Sequence, residues 1–328
     1  MQNDFIIGQI SDTHFVNKNQ KLFDKFDTYK RFVDTIETCN QLMETPDFYI
    51  ISGDLIHDNE IFYKDFFELC NKLKKPIYPM MGNHDNRKAI RNYVKNELID
   101  ENGYLNYTIS TYPIEIICLD TAIDETIEGT ISESSMNWLE SKLLTNTNKS
   151  IIIFMHHPPI EIGSILFDHI KCNNGNEFIN LISKYKNVKE VIFGHVHCFF
   201  SKTIDGIEFS SCPSASIQYP IDAKTDKNIK LDTKGYIKLI NYSDGLISKE
   251  DRDDAIDQVN NFEKRSDLQQ ASKNNSPQLP DVQQSNFPVI SSGTSPMNTA
   301  AGGGSNTELA QALNLFNKGG IVSAKKSF

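Results

Sequence analysis

Five short polar motifs occur in the first 200 residues, and each one directly follows an apolar run. They are Asp12-Thr13-His14, Gly53-Asp54, Gly82-Asn83-His84-Asp85, His156-His157-Pro158-Pro159 and Gly194-His195-Val196-His197. Imidazole binds zinc, iron and similar ions, whereas carboxylate and amide oxygens suit manganese and magnesium. Seven side chains are therefore candidate metal ligands: Asp12, His14, Asp54, Asn83, His156, His195 and His197. Seven ligands are too many for one ion that also binds water, so the set predicts two ions that share a carboxylate.

The apolar runs before these motifs have the length of buried β-strands. They cover residues 5–10, 48–52, 77–81, 151–155 and 191–193, and a further run covers 114–119. Helical patterns at residues 29–43, 61–73, 132–144 and 177–186 lie between several of them. Strand–helix alternation predicts βαβ units around a buried sheet. Because ligands of such sheets bind outside the carboxyl ends of the strands, we expect the five motifs to form one site.

Two Asp-Gly pairs in the second half of the chain indicate β-hairpins. Asp205-Gly206 and Asp244-Gly245 each lie between strand-like runs, and tight hairpin turns favour residues that tolerate positive φ. The second half is therefore predicted to add antiparallel strands, which gives a mixed sheet or two packed sheets.

The composition changes near residue 250. Only four aromatic residues follow that position: Phe262, Phe287, Phe316 and Phe328. We therefore predict a folded domain, which contains all five motifs, over residues 1–250 and a disordered, low-complexity linker over residues 251–306. Residues 307–328 carry Leu309, Leu313 and Phe316 at helical spacing, which predicts a short amphipathic segment. A docking peptide, an export signal and a simple extension are the alternatives for this C-terminal region.

The charge and the apolar content exclude several classes of partner. The chain has 33 Lys and Arg against 43 Asp and Glu, a formal net charge of −10, which disfavours nucleic acid and anionic lipid. No apolar run is long enough to predict a membrane span, and the N-terminus lacks the basic and apolar regions of a signal peptide. The six cysteines are therefore expected to be reduced in a cytoplasmic protein. An exported bacterial effector without a Sec signal is the alternative.

The order of the five motifs resembles the calcineurin-like metallophosphoesterase superfamily. Its pattern, D-x-H, G-D, G-N-H-D/E, H and G-H-x-H, is present over roughly residues 5–245, and no ligand position departs from it. The forms Gly82-Asn83-His84-Asp85 and His156-His157-Pro158-Pro159 look most similar to class III cyclic nucleotide phosphodiesterases and bacterial glycerophosphodiesterases. The resemblance implies an α/β, or α+β sandwich, fold of four layers, with two central mixed β-sheets flanked by helices.

The resemblance also implies a role for each candidate residue. One ion would be held by Asp12, His14, Asp54 and His197. The other would be held by Asp54, Asn83, His156 and His195, so that Asp54 bridges the two. The implied ions are manganese, iron or zinc, with a bridging hydroxide as the nucleophile. His84 is the implied catalytic residue, which assists departure of the leaving oxygen.

The predicted function is hydrolysis of a small phosphodiester, with a 3′,5′-cyclic nucleotide such as cyclic AMP favoured. A phosphomonoesterase or protein phosphatase, a glycerophosphodiesterase and a DNA nuclease are alternatives within the same fold, and the acidic charge weighs against the nuclease. A non-catalytic scaffold of this fold is the alternative of another class. A homodimer is compatible with all of these functions.

The remaining polar residues near the motifs receive simpler interpretations. His57 is expected to be a solvated loop residue, with a position lining the cleft as the alternative. His157 is expected to pack or to support a ligand, and His169 to lie on the surface. Cys198 is expected in the core, because its side chain should face away from His197. Asp85 is expected either to orient a histidine or to cap a turn.

Overall fold

A computed structural model of the chain describes residues 4–223, 235–243 and 246–247. The predicted linker at residues 251–306, the predicted amphipathic segment at residues 307–328 and the predicted turn at Asp244-Gly245 lie outside the described residues.

Two β-sheets form the centre of the described part of the chain. Their strands are β1 (Phe5–Ile10), β2 (Phe48–Ile51), β3 (Ile77–Pro79), β4 (Tyr107–Ile109), β5 (Glu115–Leu119), β6 (Ile151–Met155), β7 (Val188–Phe193), β8 (Ser201–Ile204), β9 (Ile207–Ser211), β10 (Lys238–Ser243) and β11 (Leu246–Ile247). One sheet has the order β11-β10-β1-β2-β3, and the other has the order β4-β5-β6-β7-β9-β8. The sequence pattern did not indicate β4, which is only three residues long.

Both sheets are mixed, as the sequence predicts. Strands β1, β2 and β3 are parallel, and β10 is antiparallel to β1. In the second sheet β5, β6, β7 and β9 are parallel, whereas β4 and β8 join the edges antiparallel. The predicted hairpin between β8 and β9 is confirmed: Asp205 and Gly206 have φ of 51° and 81°.

Helices connect several of the parallel strands. They are α1 (Thr28–Cys39), α2 (Phe62–Cys70), α3 (Arg87–Ile90), α4 (Glu133–Thr145) and α5 (Gly175–Ile182), with one 3₁₀ turn at Asn96–Leu98. The Asp27 carboxylate accepts a hydrogen bond from the Lys30 backbone N–H at 2.9 Å at the start of α1. Ser132 caps α4 in the same way through the N–H of Ser135 at 3.0 Å. These side chains satisfy backbone donors that have no partner within the helix.

The core explains why β6 is continuously apolar. All five residues of β6 are buried, as expected for a strand covered on both faces. One buried cluster contains β1, β2, α1 and α2, where the rings of Phe32 and Phe66 stack 4.8 Å apart. A second cluster contains β6, β7 and α5. The predicted class, two central mixed sheets with flanking helices, is therefore confirmed.

The six cysteines are free and buried, which agrees with the expected reduced thiols. Cys198 belongs to the second apolar cluster, as predicted. Among the described residues, the helices are all too short or too polar to cross a membrane.

Candidate metal centre

The carboxyl ends of β1, β2, β3, β6 and β7 meet at one edge of the paired sheets. Two glycines permit this approach. A Cβ on Gly53, where φ is +95°, would lie 2.4 Å from Nδ1 of His156. A Cβ on Gly194 would lie 2.4 Å from the Ser11 hydroxyl and 2.8 Å from the Ser52 carbonyl oxygen. A residue with a Cβ at either position would push apart the strand ends that carry the polar motifs.

The backbone of the motifs adopts an unusual conformation. Positive φ angles between 39° and 69° occur at five of the eight predicted site residues: Asp12, His14, Asp54, His195 and His197. This left-handed region disfavours residues with a Cβ by roughly 1–2 kcal/mol each. Such strain concentrates at functional sites, where the surrounding structure enforces it. Here it turns the side chains away from the strand direction and toward one another.

The first group of side chains contains Asp12, His14, Asp54 and His197, whose potential ligand atoms all lie within 4.8 Å of one another. The Nε2 atoms of His14 and His197 are 3.0 Å apart. Nε2 of His14 is 3.5 Å from Oδ2 of Asp54, and Nε2 of His197 is 3.5 Å from Oδ1 of Asp12. All four residues are buried.

The second group surrounds Oδ1 of Asn83. This oxygen lies 3.2 Å from Nε2 of His156 and 3.0 Å from Nδ1 of His195. Nε2 of His156 is also 3.4 Å from Oδ2 of Asp54. The same carboxylate oxygen of Asp54 therefore lies between the two groups. The structure thus brings all seven predicted ligands together at one edge.

Hydrogen bonds behind the rings fix which nitrogen faces the site. A carbonyl oxygen can only accept, so His156 donates from Nδ1 to Ser52 at 2.8 Å, and His197 donates from Nδ1 to Ile217 at 2.6 Å. When these rings are neutral, each Nε2 directs a lone pair toward carboxylate or amide oxygens. Converging acceptors repel one another unless a cation lies between them. The donor set, imidazole with carboxylate and amide oxygen, therefore fits a metal ion.

Burial and charge set the protonation of the site. Burial lowers the pKa of His14 and His195 well below the ordinary range, because the charged imidazolium is desolvated, so both rings are neutral as metal binding requires. Burial opposes the charge on Asp54 as well. The positive charges of the His156 and His84 imidazoles outweigh this effect and hold the pKa of Asp54 well below its usual range. A buried carboxylate that stays charged is suited to hold a cation.

His84 borders the first group, with its ring centroid 4.8 Å from that of His14. Its backbone N–H donates to Oδ1 of Asp54 at 2.9 Å, and its Nδ1 lies 2.6 Å from Oδ1 of Asp58. Burial lowers the pKa of His84, but the carboxylates of Asp54 and Asp58 outweigh it and raise the pKa to about 8. These carboxylates therefore favour the protonated imidazole, the form that is able to donate a proton.

Asp58 is a site residue that the sequence analysis missed. It follows Asp54 by four positions, and no motif singled it out. The alternative that Asp85 orients a histidine is not the arrangement in the structure. Asp85 instead accepts hydrogen bonds from the backbone N–H groups of Gly82 at 2.9 Å and Leu55 at 3.1 Å and from the Tyr63 hydroxyl at 3.0 Å. Its side chain caps the turn, which was the second interpretation.

The other histidines have mixed outcomes. The expectation that His57 is solvated is wrong, because its side chain is 8% exposed and packs against both His14 and His84. His157 is buried, and its Nδ1 forms a hydrogen bond with the Thr121 hydroxyl. Its ring packs against that of His195, with centroids 4.6 Å apart. His169 is exposed, as predicted.

Replacing Asp85 with alanine is expected to lower the free energy of unfolding by roughly 2–4 kcal/mol, because several buried donors lose their acceptor. Urea denaturation followed by circular dichroism measures the change. The matched control is Asp34→Ala, since that side chain is 55% exposed and forms a surface ion pair with Lys30. This substitution should change stability by about 0.5 kcal/mol or less. Equal unfolding midpoints for the two variants would contradict the capping role.

Known proteins are similar to this chain in sequence and in fold. The family described as calcineurin-like phosphoesterase matches residues 5–199. The chain is 34% identical over 225 residues to the probable glycerophosphodiester phosphodiesterase GpdQ of Arcobacter nitrofigilis, a match that covers 67% of this chain and 82% of that protein. It is 25% identical over 248 residues to the 3′,5′-cyclic adenosine monophosphate phosphodiesterase CpdA of Escherichia coli K12, covering 74% and 88%.

Among solved structures, a dimetal phosphatase from Danio rerio superposes with a TM-score of 0.54 at 14% identity, covering 66% of this chain and 89% of that one. At this identity the similarity shows the fold alone. The family match spans more than half of the chain and includes all five polar motifs up to His197. The chain therefore belongs to the calcineurin-like phosphoesterase family, and it is a phosphoester hydrolase with His and Asp clusters able to bind metal.

Proposed function

We propose that the protein is a binuclear metal-dependent phosphodiesterase that hydrolyses a small phosphodiester. The position of Asp54 carries this proposal. Its Oδ2 atom lies 3.5 Å from Nε2 of His14 and 3.4 Å from Nε2 of His156, so one oxygen faces both groups of ligands. A carboxylate oxygen in this position would be able to serve as a ligand to both ions of a two-metal site.

The proposed ligand sets follow the two groups of side chains. Asp12, His14, Asp54 and His197 would hold one ion, and Asp54, Asn83, His156 and His195 would hold the other. Manganese, iron and zinc all suit such mixed nitrogen and oxygen ligands. When bound, the ions supply Lewis acidity at phosphorus and lower the pKa of bound water.

The chain's own residues supply positioning and a proton. The carbonyl oxygens of Ser52 and Ile217 hold the rings of His156 and His197 with Nε2 toward the site. His84 is the proposed catalytic acid. The Asp58 carboxylate accepts from Nδ1 of His84, so Nε2 is the nitrogen that transfers a proton to the leaving oxygen.

A cyclic nucleotide such as cyclic AMP is the first candidate substrate. A relative at 25% identity that covers 74% of this chain is named as a cyclic AMP phosphodiesterase. A glycerophosphodiester is the second candidate, because the 34% identical relative is named as a probable glycerophosphodiester phosphodiesterase. Both candidates are small phosphodiesters, and they suit an acidic protein better than a long nucleic acid does.

Purified full-length protein loaded with Mn²⁺ is expected to hydrolyse bis(p-nitrophenyl) phosphate and to lose this activity when the metal is chelated. A panel of cyclic AMP, cyclic GMP, glycerophosphocholine and p-nitrophenyl phosphate then ranks the substrates by kcat/KM. A higher kcat/KM for cyclic AMP than for glycerophosphocholine supports the first candidate, and the reverse order supports the second. Hydrolysis of the monoester without hydrolysis of any diester would overturn the proposed function.

A further inference from the structure

His57 is buried against two residues of the proposed site. Its Nδ1 lies 3.2 Å from Nδ1 of His14. Its ring stacks on that of His84, with centroids 4.6 Å apart and planes 29° apart. The ring of Phe23 makes a T-shaped contact with the ring of His57, with centroids 5.4 Å apart. The side chain thus contacts both a proposed metal ligand and the proposed acid.

The facing Nδ1 atoms of His14 and His57 require one donor and one acceptor. Nε2 of His14 faces His197 at 3.0 Å and Asp54 at 3.5 Å, so it is the nitrogen positioned to bind an ion. A ligating nitrogen carries a lone pair, and neutral His14 then has its proton on Nδ1. Nδ1 of His57 must therefore accept this proton in a hydrogen bond.

An accepting Nδ1 leaves the proton of a neutral His57 on Nε2. This nitrogen lies 3.7 Å from Oδ2 of Asp58, a distance at which the carboxylate attracts the N–H without a direct hydrogen bond. The other oxygen of Asp58 is 2.6 Å from Nδ1 of His84. The charge of Asp58 therefore favours the His57 tautomer that His14 needs.

We propose that His57 is a positioning residue that holds the metal ligand His14 in its binding tautomer and orientation. This inference rests on the proposed function, because it takes His14 as a ligand. Without His57 the Nδ1–H of His14 would lose its acceptor in a buried place, and the ring would lose its orientation. Removal of such a hydrogen-bond partner behind a ligand typically weakens metal binding about 10–100-fold.

Calorimetric titration of full-length protein with Mn²⁺ tests the proposal. His57→Leu removes the acceptor and is expected to weaken Mn²⁺ binding about 10–100-fold. His57→Asn retains an oxygen near the place of Nδ1 and should recover most of the affinity. His169→Asn, at an exposed position, is the control and should bind like the wild type. Circular dichroism confirms that each variant is folded.

The outcomes separate this inference from the proposed function. A wild type that binds no Mn²⁺ would overturn the metal site and the role of His57 together. A wild type that binds Mn²⁺ and a folded His57→Leu variant with equal affinity would overturn only the role of His57.

A spectroscopic measurement on the wild type avoids any dependence on variant folding. Multiple-bond ¹H–¹⁵N correlation spectra of the Zn²⁺-loaded protein distinguish protonated from unprotonated imidazole nitrogens. The expected signature is a proton on Nδ1 of His14 and on Nε2 of His57. A proton on Nδ1 of His57 would overturn the proposal.

Discussion

Replacing Asp54 with asparagine is expected to lower kcat/KM for phosphodiesters by about 10³-fold or more. The reason is that one oxygen of this carboxylate faces both groups of ligands, at 3.5 Å from His14 and 3.4 Å from His156. Loss of its charge weakens the hold on both proposed ions. Metal ions contribute several kcal/mol to stabilising a phosphoryl transition state, and about 1.4 kcal/mol corresponds to a factor of ten.

The measurement combines steady-state kinetics with metal content determined by mass spectrometry. The Asp34→Asn variant is the matched control, because Asp34 lies on the exposed face of α1 and its substitution should leave kcat/KM unchanged. Asp54→Asn should also contain fewer than the wild-type number of ions. A variant that keeps both full metal content and wild-type turnover would refute the bridging role of Asp54.

Replacing His84 with alanine is expected to lower kcat by about 10²–10⁴-fold, the usual range for removal of a general acid. Metal content should change little, because the contact of this residue with Asp54 is made by its backbone N–H, which alanine retains. Retained ions with lost turnover would separate the role of His84 from that of the ligands. An equal loss of metal in His84→Ala and Asp54→Asn would instead identify His84 as a ligand.

The Asp58→Asn variant tests the role of His84 as the acid through the pKa of its imidazole. The carboxylates of Asp54 and Asp58 raise the pKa of His84 against the effect of burial. Without the charge of Asp58 the pKa of His84 should fall, so the protonated acid is lost at lower pH. The alkaline limb of the kcat profile is therefore expected to move to lower pH. An unchanged alkaline limb would show that His84 does not act as the acid in the rate-limiting step.

Local sequence patterns were sufficient to predict the main elements and the ligand candidates. Strands β1 and β6 have the predicted bounds. All residues of β6 are apolar, as expected for a strand that is buried on both faces. The five motifs follow strand ends, and parallel strands in one sheet end at one edge. This rule accounts for the motifs after β1, β2 and β3 in one sheet and for those after β6 and β7 in the other. The packing of the two sheets then brings both sets together.

The partners of side chains that are neighbours in the sequence were harder to predict. His84 and Asp85 are neighbours, but they point to different partners: Asp85 turns back to cap backbone N–H groups, and Asp58 reaches His84 instead. His57 lies between apolar and acidic residues in the sequence, and nothing local predicts its burial. That burial arises because the loop after β2 packs against the loop after β1.

The sequence by itself determined the fold class, the seven ligand candidates and the acidic character of the chain. Only the tertiary structure decided which atoms face one another. The backbone N–H of His195 donates to Asp12 at 3.0 Å although the two residues are 183 positions apart. Such contacts depend on the packing of two sheets and on left-handed backbone conformations at strand ends. Both are imposed by long-range packing against local preference, so no short sequence pattern encodes them.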